Sequence, residues 1–133
     1  MTTAPRDLVS EFWRVMGTND FQAASLLLSP DFRGVWPQSG EVIEGRANFA
    51  ALNTAYPAKG PWRFTLNRCV AGRDQVVTDV TVTDGETVAT VISFHTVRGG
   101  HIVKQVEYWP DPYDPPSWRA HWVAQMEDPS DEP

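Results

Sequence analysis

The chain has 133 residues, 41% of them hydrophobic, and 17 acidic against 11 basic side chains give a formal net charge of −6. That size and apolar content suit one domain with a real core and exclude a disordered chain, and no apolar run approaches the roughly 18 residues that a membrane helix needs. Four of the acids, Glu127, Asp128, Asp131 and Glu132, lie in the last seven residues. The body is therefore only mildly acidic and has no basic stripe for a phosphate backbone, which argues against nucleic-acid binding.

The first residues, Met1-Thr2-Thr3-Ala4-Pro5-Arg6-Asp7, lack a basic segment followed by an apolar one, so a cytoplasmic location is expected. From Asp7 to Thr18 the spacing is helical, with Leu8, Phe12, Val15 and Met16 on one face and Gly17 ending it. Asn19 or Asp20 can cap a second helix running through Leu28, with Phe21, Ala24, Leu27 and Leu28 inward. Ser29-Pro30-Asp31 breaks that helix, Phe32–Trp36 reads as a short strand, and Pro37–Gly40 as a turn. Gly45 precedes a third helix, Arg46–Ala55, with Phe49 and Leu52 as its apolar pair.

Beyond Pro61 the period changes from 3.6 to 2. Trp62–Val70 alternates apolar and polar, Arg73-Asp74 turns, and Gln75–Thr83 is a Val/Thr-rich strand. Asp84-Gly85 signals a two-residue hairpin. Two more β-branched runs, Thr87–Val97 and His101–Trp109, flank Arg98-Gly99-Gly100. The segment Pro110–Pro116 can be neither helix nor central strand. Ser117 can cap a last helical turn or two over Trp118–Met126, with Trp118 and Trp122 packing the tail onto the body or onto a second subunit. Helices first and a meander afterwards give an α+β domain, residues 1–126, with three N-terminal helices on a strongly curved, mostly antiparallel sheet; residues 127–133 read as a disordered acidic tail.

Candidate site residues are those that interrupt the strand alternation. His95, Gln105 and Glu107 sit among Val, Ile, Phe and Trp, where a polar group must be hydrogen-bonded, solvated in a cavity, or functional. His95 and Glu107 share a face if the loop between their strands has three or five residues, and a strict two-residue loop separates them. On one face they form either an acid–base pair or a satisfied polar network. With a two-residue Asp84-Gly85 turn, Asp79 pairs with Thr90 and faces away from His95, while Val80, Val91 and Ser93 neighbour the imidazole. Six tryptophans are many for this length. Trp13, Trp36, Tyr56, Trp62 and Trp109 are candidates for lining a cavity that takes a flat or ring-containing molecule, or for ordinary core. Cys69 reads as core filler, with no thiolate-stabilising neighbour. His95, His101 and His121 lack metal spacing, and neither metal nor cofactor is expected.

The layout resembles the nuclear transport factor 2-like superfamily and its SnoaL-like members. Leu28-Ser29-Pro30-Asp31-Phe32 leading into the first strand, Gly40–Gly45 before the third helix, and Gly99-Gly100-His101-Ile102-Val103 opening the last strand carry the resemblance, from about Asp7 to Trp109. It implies a cone-shaped fold, a cavity between sheet and helices, and a homodimer through the sheet face. It also implies a choice among isomerases, dehydratases, epoxide hydrolases, cyclases and non-catalytic binders. Ketosteroid isomerases place a catalytic Asp before the Pro that follows the first strand; here that position is Trp36, and an indole abstracts no proton. The cyclases carry an Asp near the end of the last strand, where this chain has Glu107 and Asp111.

Three functions are therefore open, the third being an association module whose sheet face binds itself or another protein. The first is a binder of a small hydrophobic or aromatic molecule held by Trp13, Trp36, Tyr56, Trp62 and Trp109, with Ser93 among the ligand-binding residues, and oriented by His95, Gln105 and Glu107. The second is a cofactor-free cyclase, isomerase or dehydratase on a polyketide- or steroid-like substrate. There His95 and Glu107 would move a proton, and Gln105 or Tyr56 would hold the oxyanion.

Overall fold

The computed structural model describes residues 3–127. Helix α1, Pro5–Met16, buries Leu8, Val9, Phe12, Trp13 and Met16 along one face, with Pro5 in its first turn, and Gly17 caps its end. Asp20, not Asn19, caps α2, its side chain accepting from the Ala23 N–H at 2.9 Å.

Helix α2 spans only Phe21–Ser25, so the expected extension through Leu28 is corrected. The Leu27 carbonyl accepts from the Ile102 N–H at 2.9 Å. A tertiary sheet bond thus takes the chain away from the helix two residues before Ser29-Pro30, where proline already disfavours helical backbone. Strand β1 accordingly begins at Leu28 and runs to Trp36. The turn after it leads to β2, Glu41–Glu44, a short edge strand that the sequence did not announce, since only Ile43 of its four residues is buried. Gly45, at φ +84°, sits where a side chain would be strained and donates to the Phe32 carbonyl. It launches α3, Arg46–Ala55, with the bounds expected.

The remaining strands are β3 (Arg63–Ala71), β4 (Gln75–Thr83), β5 (Val88–Arg98) and β6 (His101–Tyr108). They form one six-stranded sheet of order β2-β1-β6-β5-β4-β3, antiparallel except where β1 runs parallel to β6. The sheet therefore has six strands rather than a short strand and a four-stranded meander. The three helices cover one face, and the core lies between them.

Two registers position the site. Gly99 and Gly100 make a strict two-residue turn, both at positive φ, with Arg98 opposite His101. That register alone would put His95 and Glu107 on opposite faces. A bulge then adds Val103 to β6: Val97 pairs with Ile102, but Thr96 pairs with Lys104. The extra residue restores the parity, so His95 faces Gln105 and Ser93 faces Glu107 across the ladder. The β4–β5 loop is four residues, not two, because Thr83 pairs with Val88. The Asp84 carboxylate accepts from the N–H groups of Glu86, Thr87 and Lys59, which hold this wider loop and keep its carboxyl below the usual range. A slip of two residues preserves the face: Asp79 pairs with Ile92 instead of Thr90, still opposite His95, and bonds Arg68 at 2.8 Å on the outer surface.

Beyond β6 the chain makes only a single 3-10 turn, Ser117–Arg119, instead of the expected helical turns over Trp118–Met126. Trp118 and Trp122 are exposed, so they do not pack the tail onto the body. Residues 128–133, most of the acidic tail read from the sequence, lie outside the described residues. Among the described residues no helix is long and apolar enough to cross a membrane.

Candidate functional site

Between the inner face of the sheet and the three helices lies a cavity of about 160 Å3. Its wall is almost wholly apolar. Trp13 and Phe12 come from α1, Phe49 and Leu52 from α3, and Trp36 from the end of β1. Trp62 and Trp109 lie just before β3 and just after β6, and Tyr56 directly follows α3. All five aromatic residues singled out from the sequence thus stand on the wall.

One carboxyl interrupts this surface. Glu107 lines the cavity yet is only 8% exposed. The Ser93 hydroxyl donates to its Oε2 at 2.6 Å, and the Trp36 indole N–H donates to its Oε1 at 3.2 Å. Burial pushes the Glu107 carboxyl above the usual range, and the two donated bonds offset part of that rise. Trp36, standing where an isomerase would carry its base, therefore holds a carboxylate on the central strand. An ionised carboxylate has room for about four bonds, so two donors leave Glu107 with acceptor capacity toward the cavity.

His95 occupies a different environment. It is fully buried, its Nε2 lies 2.8 Å from Thr78 Oγ1, and the Gln105 amide donates to Nδ1 at 3.1 Å. Thr78 also accepts from the Trp13 indole N–H at 3.1 Å. Desolvation lowers the imidazole pKa from its ordinary 6.5 to about 3, so the ring is neutral in this network. Phe12 and Trp13 stand edge to face with it, with centroids 6.2 and 6.0 Å away. His95 and Glu107 therefore share a sheet face but belong to separate networks, one under α1 and one on the cavity wall. Ser93 and Gln105 likewise stand behind the wall, each committed to one of these two groups.

The two networks have a common effect. Each consumes the N–H of one cavity tryptophan, Trp13 through Thr78 and Trp36 through Glu107. Those two indoles then offer the cavity only ring surface. Asn19, at φ 63°, fixes a third tryptophan. Its amide donates to the Trp62 carbonyl and accepts from the Trp62 N–H, both at 2.7 Å, in the manner of a strand partner. Asn19→Ala should destabilise the fold by about 2 kcal/mol, from two lost hydrogen bonds and a side chain ill-suited to the left-handed region. Denaturant unfolding measures it, and a loss under about 0.5 kcal/mol would refute this role for the clamp.

Sequence reasoning did not assign Phe12, Phe49, Leu52, Phe64 or Ala89 to the cavity, nor Thr78 to His95. The apolar faces of α1 and α3 carried the first of these, but such a face reads equally as core. Thr78 shares its parity with Val76 and Val80, which is the only trace of its inward direction. Among the described residues no group of three His, Cys, Asp or Glu side chains could hold a metal ion.

Comparison with known proteins agrees with this architecture. A candidate ketosteroid isomerase from Kribbella flavida DSM 17836 superimposes with a TM-score of 0.85 at 28% identity, over 94% of this chain and 91% of the other. An NTF-2 like protein of unknown function from Burkholderia xenovorans LB400 gives 0.76 at 30% identity, over 92% and 94%. A SnoaL-like polyketide cyclase candidate from Jannaschia sp. CCS1 gives 0.64 at 12% identity over 82% and 90%, a likeness of fold alone. No curated protein matches the chain. The SnoaL-like domain model matches residues 9–105, most of the molecule, and the chain belongs to that family.

Proposed function

We propose that the protein binds a compact, largely apolar small molecule in the aromatic cavity, oriented by one polar contact to Glu107. The observation that carries this reading is a single buried carboxyl on a wall made mostly of aromatic and aliphatic side chains, with Asn53 and Thr87 as its other polar residues beside the Tyr56 hydroxyl. The enclosed volume is on the scale of an engineered apolar cavity of about 150 Å3 that holds benzene. A four-ring steroid or a long polyketide would have to extend through the mouth beside Tyr56.

A second reading is a proton-transfer enzyme in which Glu107 acts alone. Its support is the same carboxyl, lifted in pKa beside an apolar space where a substrate carbon acid would sit. His95 is a poor partner in that chemistry, since both ring nitrogens are engaged and the ring is off the wall. Tyr56 remains as a possible oxyanion donor at the mouth; Gln105 is committed to His95.

The test is thermal unfolding with benzene, indole and 2-naphthol. A neutral ring compound at about 100 times its dissociation constant should stabilise the fold by roughly 2.7 kcal/mol. Ala89→Phe, which projects a ring into the cavity, should abolish the effect. If none of these compounds shifts the transition of the wild-type protein, and choline does not either, the binding reading fails.

A further inference from the structure

We infer that the cavity is built for an organic cation, a compact tertiary or quaternary ammonium, rather than for a neutral ring. This rests on the reading of the cavity as a binding site and narrows its ligand class.

Among the described residues, Glu107 and Tyr56 are the only titratable groups on the wall, and no Lys, Arg or His lines it. The imidazole of His95, two residues away on the facing strand, is neutral and bound to Thr78 and Gln105. A carboxylate sealed among aromatic rings without a counter-charge is costly. Its donors, a hydroxyl and an indole, are both neutral. An ammonium entering the cavity would supply the missing charge. Next to the cavity a shallow crevice is lined by Trp36, Gln38, Ser39, Trp109 and Asp111. It shares two tryptophans with the wall and adds a second carboxylate at the rim, so the approach is acidic too.

The chemistry of the wall favours a cation as well. Ring faces carry the negative part of the aromatic quadrupole, and tryptophan is the strongest such surface for a cation. Four tryptophans and Tyr56 line this space. Hydrogen bonds to Thr78 and Glu107 remove the N–H edges of Trp13 and Trp36, the parts of an indole that would repel a cation. Tyr56, which is exposed to solvent, and Trp62 meet edge to face, centroids 5.9 Å apart, and make a corner of the wall. Aromatic rings around a single carboxylate are the recognition chemistry of alkylammonium groups.

The ligand's charge would also change the state of Glu107. Desolvation favours the neutral carboxyl in the empty cavity; a cation beside it favours the carboxylate. Binding should then release a proton from Glu107 to solvent, and affinity should rise with pH until the free carboxyl is fully ionised.

Choline and its uncharged carbon isostere, 3,3-dimethylbutan-1-ol, separate charge from shape. Isothermal titration of the wild-type protein should show choline binding at least about tenfold tighter. In Glu107→Gln, whose amide keeps the bulk, accepts from the Trp36 N–H through its oxygen and donates to the Ser93 hydroxyl through its NH2, that preference should disappear. Titrations of the wild type in buffers of different ionisation enthalpy should reveal a released proton, a readout that needs no variant. Equal affinity for the two compounds would overturn the cation inference while the cavity reading stands. Indole bound and choline not bound has the same meaning. A preference for choline that survives Glu107→Gln overturns the role assigned to the carboxylate. Neither these two compounds nor the neutral rings binding would remove both readings.

Discussion

Phe12→Ala should lower the unfolding free energy by about 3–5 kcal/mol, a large share of the 5–15 kcal/mol that holds a typical domain. Phe12 is 1% exposed and is the point where α1 meets everything else. Its ring lies 5.0 Å from Trp13 and 5.9 Å from Phe49, and it stands edge to face with His95. Alanine would lose the transfer free energy of a buried phenyl and leave a hollow continuous with the existing cavity. The neighbours cannot collapse into it easily, because Trp13 is tied to Thr78 and α3 is tied to β1 by the Arg46 guanidinium on the Leu28 carbonyl at 3.1 Å. The same substitution should therefore enlarge the binding space, so that 2-naphthol gains affinity relative to benzene in the variant. Urea unfolding and a paired titration measure the two effects. A loss below about 1 kcal/mol would mean that this ring does not anchor the helix to the sheet.

The elements most legible in the sequence were those bounded by strong punctuation. Helix α3 lies between Gly45 and Pro57, and β4 between Arg73-Asp74 and Asp84; both run over the residues expected. Strand β1 was legible only from Phe32 onward. Phe21, Ala24, Leu27 and Leu28 satisfy helical spacing as well as a helix-to-strand passage does, and the deciding bond, from Ile102 to Leu27, comes from a strand seventy-five residues away. Strand β2 has one buried residue and no alternation to detect.

The bulge at Val103 is the clearest case of information absent from the local sequence. Gly99-Gly100 announces a two-residue turn, and that turn is present. The parity of every side chain beyond it nevertheless depends on one extra residue in a run of β-branched residues that fit paired and bulged positions alike. The shared face of His95 and Glu107 was tied to a three- or five-residue loop; the loop has two residues, which by loop length alone separates them, and the bulge restores the shared face. The depth of each group within that face was not legible. The distance of a strand residue from the cavity depends on which helix covers it. Trp13 and Phe12 of α1 roof over His95, whereas Glu107, farther along β6 toward Trp109, remains on the wall.

That burial of His95 dictates how the protein should respond to acid. In the folded state the imidazole titrates near pH 3, against 6.5 in the unfolded chain. Between those values the unfolded state binds the extra proton, so stability must fall as pH drops below 6.5, by about 1.4 kcal/mol per unit, and level off only near pH 3. The loss should reach roughly 3 kcal/mol by about pH 4. Glu107 acts in the opposite sense. Its folded carboxyl lies above the ordinary 4.5, so the folded state holds its proton longer and stability falls as pH rises through that window. His95→Gln removes the first titration and keeps hydrogen-bonding capacity toward Thr78 and Gln105. The variant should be less stable than wild type at pH 7, because the Phe12 and Trp13 rings lose an edge-to-face partner. Its stability should then stay level, or rise, as pH falls from 6.5 toward 5, where the wild type weakens steadily. Denaturant unfolding at half-unit pH steps provides both curves, and imidazole nitrogen shifts that stay neutral down to pH 4 would identify the group. A variant that keeps the wild-type acid slope would place the responsible proton elsewhere and remove His95 from the account of acid sensitivity.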